Sequence, residues 1–143
     1  MASLLLTSYP DGAFFHCYHA YECAVSALIA ARGYPVPPEG RAHYINASGK
    51  KVHYYPSPTR QITELSSHKA KILLFNDLAD RTKPYFSIHS TLSRFITVVA
   101  RNDALYYNET LNLLPQNRVT TSDALAAYRE VRKFALEIWK EIR

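Results

Sequence analysis

The sequence predicts an all-α fold, a small up-and-down helical bundle carrying a β-hairpin-like insertion between its first two helices. Three observations predict it. Apolar residues recur at helical spacing in four separate stretches. Five prolines, Pro35, Pro37, Pro38, Pro56 and Pro58, are gathered in the one stretch that lacks this spacing. The chain has 143 residues, enough for one domain with a real core, residues 1–143.

The first helix is predicted from Gly12 to Arg32, with Asp11 as N-cap and Gly33 and Pro35 as the stop. Phe14, Tyr18, Tyr21, Val25 and Leu28 form one apolar face. Ala20, Cys23, Ala24, Ala27 and Ala31 form a second face of small residues, so the helix is expected to be central. His19, Glu22 and Ser26 make a polar stripe between the two. Residues 34–65 are broken by proline. Within them His43–Asn46 and Lys51–Tyr55 flank a Gly-containing loop, the pattern of a hairpin.

The second helix is predicted from Ser67 to about Arg81, capped by Ser66 or Ser67. The third follows Pro84 and runs to about Tyr107, with Ile88, Leu92, Phe95 and Val99 on one face and Arg94, Val98, Arg101 and Leu105 beside them. The fourth starts near Ser122 and reaches the end of the sequence, presenting Ala124, Tyr128, Val131, Ala135, Ile138 and Ile142.

Composition narrows the function classes. Residues 32–71 hold seven basic and two acidic residues, so this segment carries the whole net charge of +5, and the remaining ten of each sign cancel. Local positive charge favours a polyanion or an acidic partner. No apolar run approaches the roughly 20 residues that span a bilayer. The N-terminus lacks the basic region of a signal peptide, so no membrane partner and a cytoplasmic location are expected. Cys17 and Cys23 sit about 9 Å apart along a helix axis, too far for a disulfide. They are expected to be reduced core thiols.

Several groups carry candidate chemistry. Arg101 and Asn102 lie in an apolar stretch, where a charge needs a partner, and Glu22 or Asp103 is the bland one. His16, His19 and Cys23 share a helical face and raise the idea of a zinc-dependent enzyme, but no second Cys/His pair with ligand spacing supplies a fourth ligand. No metal or cofactor is therefore expected. A Cys23–His19 nucleophile lacks an orienting third group. In the insertion, Arg41, Lys50, Lys51 and Arg60 alternate with Tyr54 and Tyr55. Cations that follow phosphates and rings that stack bases suit single-stranded RNA. The competing reading is a solvated hairpin or a dimer edge.

Residues 15–33, with their Ala-Tyr-Glu22 core and terminal Gly33, resemble the second helix of HEPN domains. Ser67–Phe75, Val99–Tyr107 and Ser122–Arg143 resemble later helices of the same family, in the same order. The resemblance covers most of the chain outside residues 34–65. It implies a helical, often dimeric domain, and in many members a metal-independent ribonuclease. Other members are non-catalytic or partner a minimal nucleotidyltransferase in toxin–antitoxin pairs. The family motif is Arg, often followed by Asn, then four to six residues and a His. Arg101 and Asn102 match its start, but Tyr106, Tyr107 and Asn108 stand where the His should fall.

The resemblance implies that Arg101 holds phosphate and stabilises charge developing on it, with Asn102 orienting a ribose hydroxyl. A tyrosine titrates near pH 10, so Tyr106 or Tyr107 is a poor replacement for imidazole in acid–base work. His19, one turn from Glu22, is the other candidate. The expected partners are a second copy of the chain as a homodimer, a minimal nucleotidyltransferase, and RNA.

Overall fold

The structure is a computed structural model and describes residues 6–63, 66–96 and 118–143. It is mostly helical, with four helices and a small antiparallel sheet: α1 (Pro10–Ala31), β1 (Ala42–Ile45), β2 (Lys51–Pro56), β3 (Gln61–Thr63), α2 (Ser67–Leu78), α3 (Pro84–Phe95) and α4 (Thr121–Glu141). Contacts divide the chain into two compact units, one of Met1–Ala24 with Arg81–Glu141 and the other of Val25–Asp80.

α1 begins at Pro10, whose missing N–H is one that a helix start leaves unsatisfied anyway. It ends in a Schellman arrangement. Gly33 takes φ +79°, its N–H reaches the Ala30 carbonyl at 2.9 Å, and the Tyr34 N–H reaches Ile29 at 3.2 Å. The predicted face of Phe14, Tyr18, Tyr21, Val25 and Leu28 is buried throughout. The second predicted face is not a packing face. Ala20, Cys23 and Ala31 are exposed, Ala27 is half-buried, and only Ala24 is buried. Small side chains remove little area from water, so they orient a helix weakly compared with its aromatic and branched residues. Cys17 is a core thiol, its pKa pushed up to about 11 by burial, whereas Cys23 faces solvent, contrary to expectation.

In the second unit, β1, β2 and β3 form an antiparallel sheet in that order. The predicted hairpin is present, in the register His43 to His53 and Ile45 to Lys51. The third strand was not foreseen, because Gln61–Thr63 is too short to show an alternating pattern. The β1–β2 loop is pinned by Asn46. Its side-chain Oδ1 accepts the N–H groups of Ser48 and Lys50 at 3.0 and 2.9 Å, and Gly49 supplies the left-handed residue at φ +74°. Arg60, in the β2–β3 turn, donates from Nε to Asp77 of α2 at 3.0 Å. Ser66 caps α2 by accepting the Lys69 N–H. The helix ends at Leu78, three residues before the predicted Arg81, where Ala79 turns extended.

In the first unit, α3 packs on α4. α3 starts at Pro84 as predicted, but it stops at Phe95, with Ile96 leaving helical geometry at φ −88°, ψ 86°. The predicted run to Tyr107 therefore fails as one continuous helix. Tyr85, His89, Leu92 and Ile96 are buried here; of the predicted stripe Leu92 is buried, Ile88 and Phe95 are only half-buried, and Val99 lies outside the described residues. Tyr and His read as polar in a hydrophobicity pattern, yet both are buried here. His89 is buried with a partner, since its Nδ1 lies 3.0 Å from the Tyr21 hydroxyl.

The rings of Tyr21 and His89 stack, their planes 15° apart, and Phe134 of α4 stands 5.4 Å from one and 6.0 Å from the other. α4 buries Ala124, Ala127, Val131, Phe134 and Ile138. Phe134 and Ala127 replace Tyr128, Ala135 and Ile142, which are only half-buried.

α4 is opened by a reciprocal cap. The Thr120 hydroxyl accepts the Asp123 N–H at 3.1 Å, and the Asp123 carboxylate accepts the Thr120 N–H at 3.0 Å. Thr120→Ala is expected to cost about 1 kcal/mol, read as a fall in the urea midpoint at unchanged m-value. An unshifted midpoint would show that the cap adds nothing.

Candidate nucleic-acid interface

The sheet and its turns carry the predicted basic and aromatic residues. Alternation along β2 sends Tyr54 and Tyr55 to opposite faces. Tyr54 is half-buried and its ring lies 5.7 Å from exposed Tyr44, so these two form a paired aromatic surface. Tyr55 is 2% exposed and belongs to the core, so it cannot stack a base as expected. Two adjacent tyrosines in a strand cannot both serve one surface, and the sequence alone does not say which one is buried. On the Tyr55 side, the rings of His43 and His53 lie 6.1 Å apart.

Arg41, Lys50 and Lys51 are exposed. Arg60 is exposed as well, but its Nε is held by Asp77, which makes it an anchor of the β2–β3 turn. The exposed basic residues Arg41, Lys50 and Lys51 therefore surround the sheet, with Lys51 on the Tyr55 side, and the paired rings of Tyr44 and Tyr54 lie on its other face. Tyr44 could have been found from the hairpin register, which sets it diagonally across from Tyr54 on one face.

Of the residues assigned to catalysis, Arg101, Asn102, Tyr106 and Tyr107 lie outside the described residues. Glu22 is buried on α1, at 5% exposure. His19 is exposed, one turn before it, and meets the Phe15 ring edge-on at 4.5 Å. The polar stripe of His19, Glu22 and Ser26 is therefore split between solvent and interior. Among the described residues, no three His, Cys, Asp or Glu side chains come together closely enough to hold a metal ion.

Sequence reasoning passed over His89. Its burial lowers the imidazole pKa from 6.5 to about 4, so it is neutral at pH 7. Burial, and then the neighbouring Tyr18 and Glu22, push the Tyr21 phenol upward, so it keeps its proton. Both shifts favour a neutral pair in which the phenol has a hydrogen to donate. With water excluded from it, this pair organises the core. The only signal in the sequence is the spacing of Tyr85, His89 and Leu92 along one helical face.

Among the described residues, no helix is long and apolar enough to cross a membrane. No family model matches the chain, and no curated protein or solved structure shows significant similarity to it.

Proposed function

We propose that the chain is a HEPN-like protein that binds RNA or nucleotides in a toxin–antitoxin or defence setting. Metal-independent cleavage is weakened in it by the loss of the motif histidine. The observation that carries this reading is the exposed Arg41, Lys50 and Lys51 on the same sheet and turns as the Tyr44–Tyr54 pair. Rings present π-faces to unstacked bases while cations neutralise phosphates, a combination suited to single strands. The order and spacing of the helical segments, with Arg101 and Asn102 at the start of the family motif, support the family assignment.

Arg101 would hold the scissile phosphate, and Asn102 would orient the ribose. Without the motif imidazole, proton transfer falls to Tyr106, Tyr107 or His19. A phenol with a pKa near 10 is a weak base at neutral pH. Slow cleavage is the expected outcome.

Incubation of the purified chain with total RNA in EDTA should give slow, metal-independent fragmentation that Arg101→Ala removes while the circular dichroism melt is unchanged. Cleavage that survives in Arg101→Ala would reject the assignment. The missing motif histidine favours a second reading, a non-catalytic dimeric module that docks a nucleotidyltransferase. A dimeric chain that neither binds nor fragments RNA would select it.

A further inference from the structure

α4 carries a second electropositive surface that charge counting along the sequence hides. Arg129, Arg132, Leu136 and Trp139 recur at intervals of three and four residues, so they share one side of the helix, and Arg143 follows two residues past its end. All five are exposed, with Leu136 at 50% and Trp139 at 52%. They lie opposite the buried stripe of Ala124, Ala127, Val131, Phe134 and Ile138.

Glu130 and Glu137 project to the flank, where they pair with Lys133 at 2.7 Å and with Lys140. Glu130 and Glu137 thus neutralise two lysines of this helix, Glu141 pairs with Lys83 at 3.2 Å, and Asp123 is taken up by the cap with Thr120. Among the described residues, neither Arg129 nor Arg132 is paired. The Arg143 guanidinium lies over the Trp139 ring, 4.5 Å from its centre.

Three occupants could meet such a face, and the geometry separates them. Protein interfaces also use Arg and Trp, but around a mostly apolar centre, whereas here three arginines accompany only two apolar side chains. An interfacial membrane helix inserts its whole apolar face, and the apolar face of α4 is already committed to the core. Single-stranded RNA uses all the features present. Arginines on the helix and just past its end, about 20 Å apart at the extremes, follow a phosphate chain. A half-exposed indole with a guanidinium on it makes a stacking platform for bases.

We infer that the exposed face of α4, with Arg129, Arg132, Trp139 and Arg143, is a second binding surface for single-stranded RNA. This rests on the RNA-binding reading given above for the sheet, and it adds a surface on the other compact unit.

The test measures binding of a fluorescein-labelled oligouridylate by anisotropy across a salt series. It compares the wild type, the triple variant Arg129→Gln/Arg132→Gln/Arg143→Gln, Trp139→Ala, and the sheet variant Lys50→Gln/Lys51→Gln. Every changed residue is exposed, and unaltered melts confirm folding. The triple variant should lower the slope of log affinity against log salt by about 2. Trp139→Ala should weaken binding roughly ten-fold and leave the slope unchanged.

If the sheet variant loses affinity while both α4 variants bind like wild type, the inference is overturned and RNA binding by the sheet stands. If the wild type does not bind the oligonucleotide, the RNA reading itself fails and takes the inference with it. If the α4 variants lose only their binding to phosphatidylserine vesicles, the face belongs to a membrane surface and the RNA assignment is wrong.

Discussion

Acidification from about pH 6.5 to about pH 4 should remove about 3 kcal/mol of stability through His89 alone. The cause is burial. In the unfolded chain this imidazole binds a proton as the pH falls through 6.5, whereas in the folded chain it resists until about 4. Over that window the unfolded state holds more protons, so stability falls as pH falls. The contribution is complete above 6.5 and gone below 4. A charged imidazole could no longer accept at Nδ1 from the Tyr21 hydroxyl, 3.0 Å away.

Carboxylates titrate near the lower end of the same range, so the wild-type curve alone does not isolate His89. His89→Gln keeps a hydrogen-bonding group and removes the titration. Urea unfolding at several pH values should show the advantage of wild type over His89→Gln shrinking by about 3 kcal/mol between pH 7 and pH 4. Parallel curves for the two proteins would mean that His89 is not held neutral by the core.

Phe134→Ala should cost about 3–5 kcal/mol, a large part of the 5–15 kcal/mol typical of a domain. Phe134 is fully buried and stands against both Tyr21 and His89. Its removal leaves a cavity beside a stacked polar pair that close neighbours cannot readily fill. A second consequence separates this from ordinary cavity formation. Since burial holds the His89 pKa down, opening the site should raise it and narrow the acid window described above. Phe134→Leu should recover part of the loss. A loss below about 1 kcal/mol, or an acid window of unchanged width, would show that Phe134 does not seal the pair.

The elements differed in how legible they were, for reasons visible in particular residues. The start of α2 was readable because a serine that accepts a backbone N–H acts within one turn, as Ser66 does with Lys69. The end of α1 was readable because Gly33 alone can take φ +79° cheaply. The large face of α1 was readable because five bulky residues at helical spacing leave one way to bury them. The end of α3 was not. Ile96 leaves the helix at a position with no glycine or proline to announce it.

The candidate site was legible as composition and not as placement. Arg41, Lys50 and Lys51 are exposed, as a basic hairpin suggests, but Tyr55 went to the core and Arg60 to Asp77. Strand alternation says that Tyr54 and Tyr55 part company. Only packing against the rest of the unit decides which is buried. The α4 surface illustrates the same point, since its cations and carboxylates nearly balance along the chain and separate only when wound onto a helix.

Local chemistry along the chain was therefore enough for the presence of four helices and the hairpin and for the Ser66 and Gly33 caps, because turns, caps and periodic faces depend on neighbours a few residues away. Asp11, predicted as an N-cap, lies inside α1. The tertiary structure decided three things. It set which polar side chains could be buried, because Tyr21 and His89 come from α1 and α3 and satisfy one another only once the chain has folded. It added β3, which is too short to be stable without β2 beside it. It also sorted the charged and aromatic residues into those held inside and those left in solvent, since burial depends on what distant segments bring to each side chain.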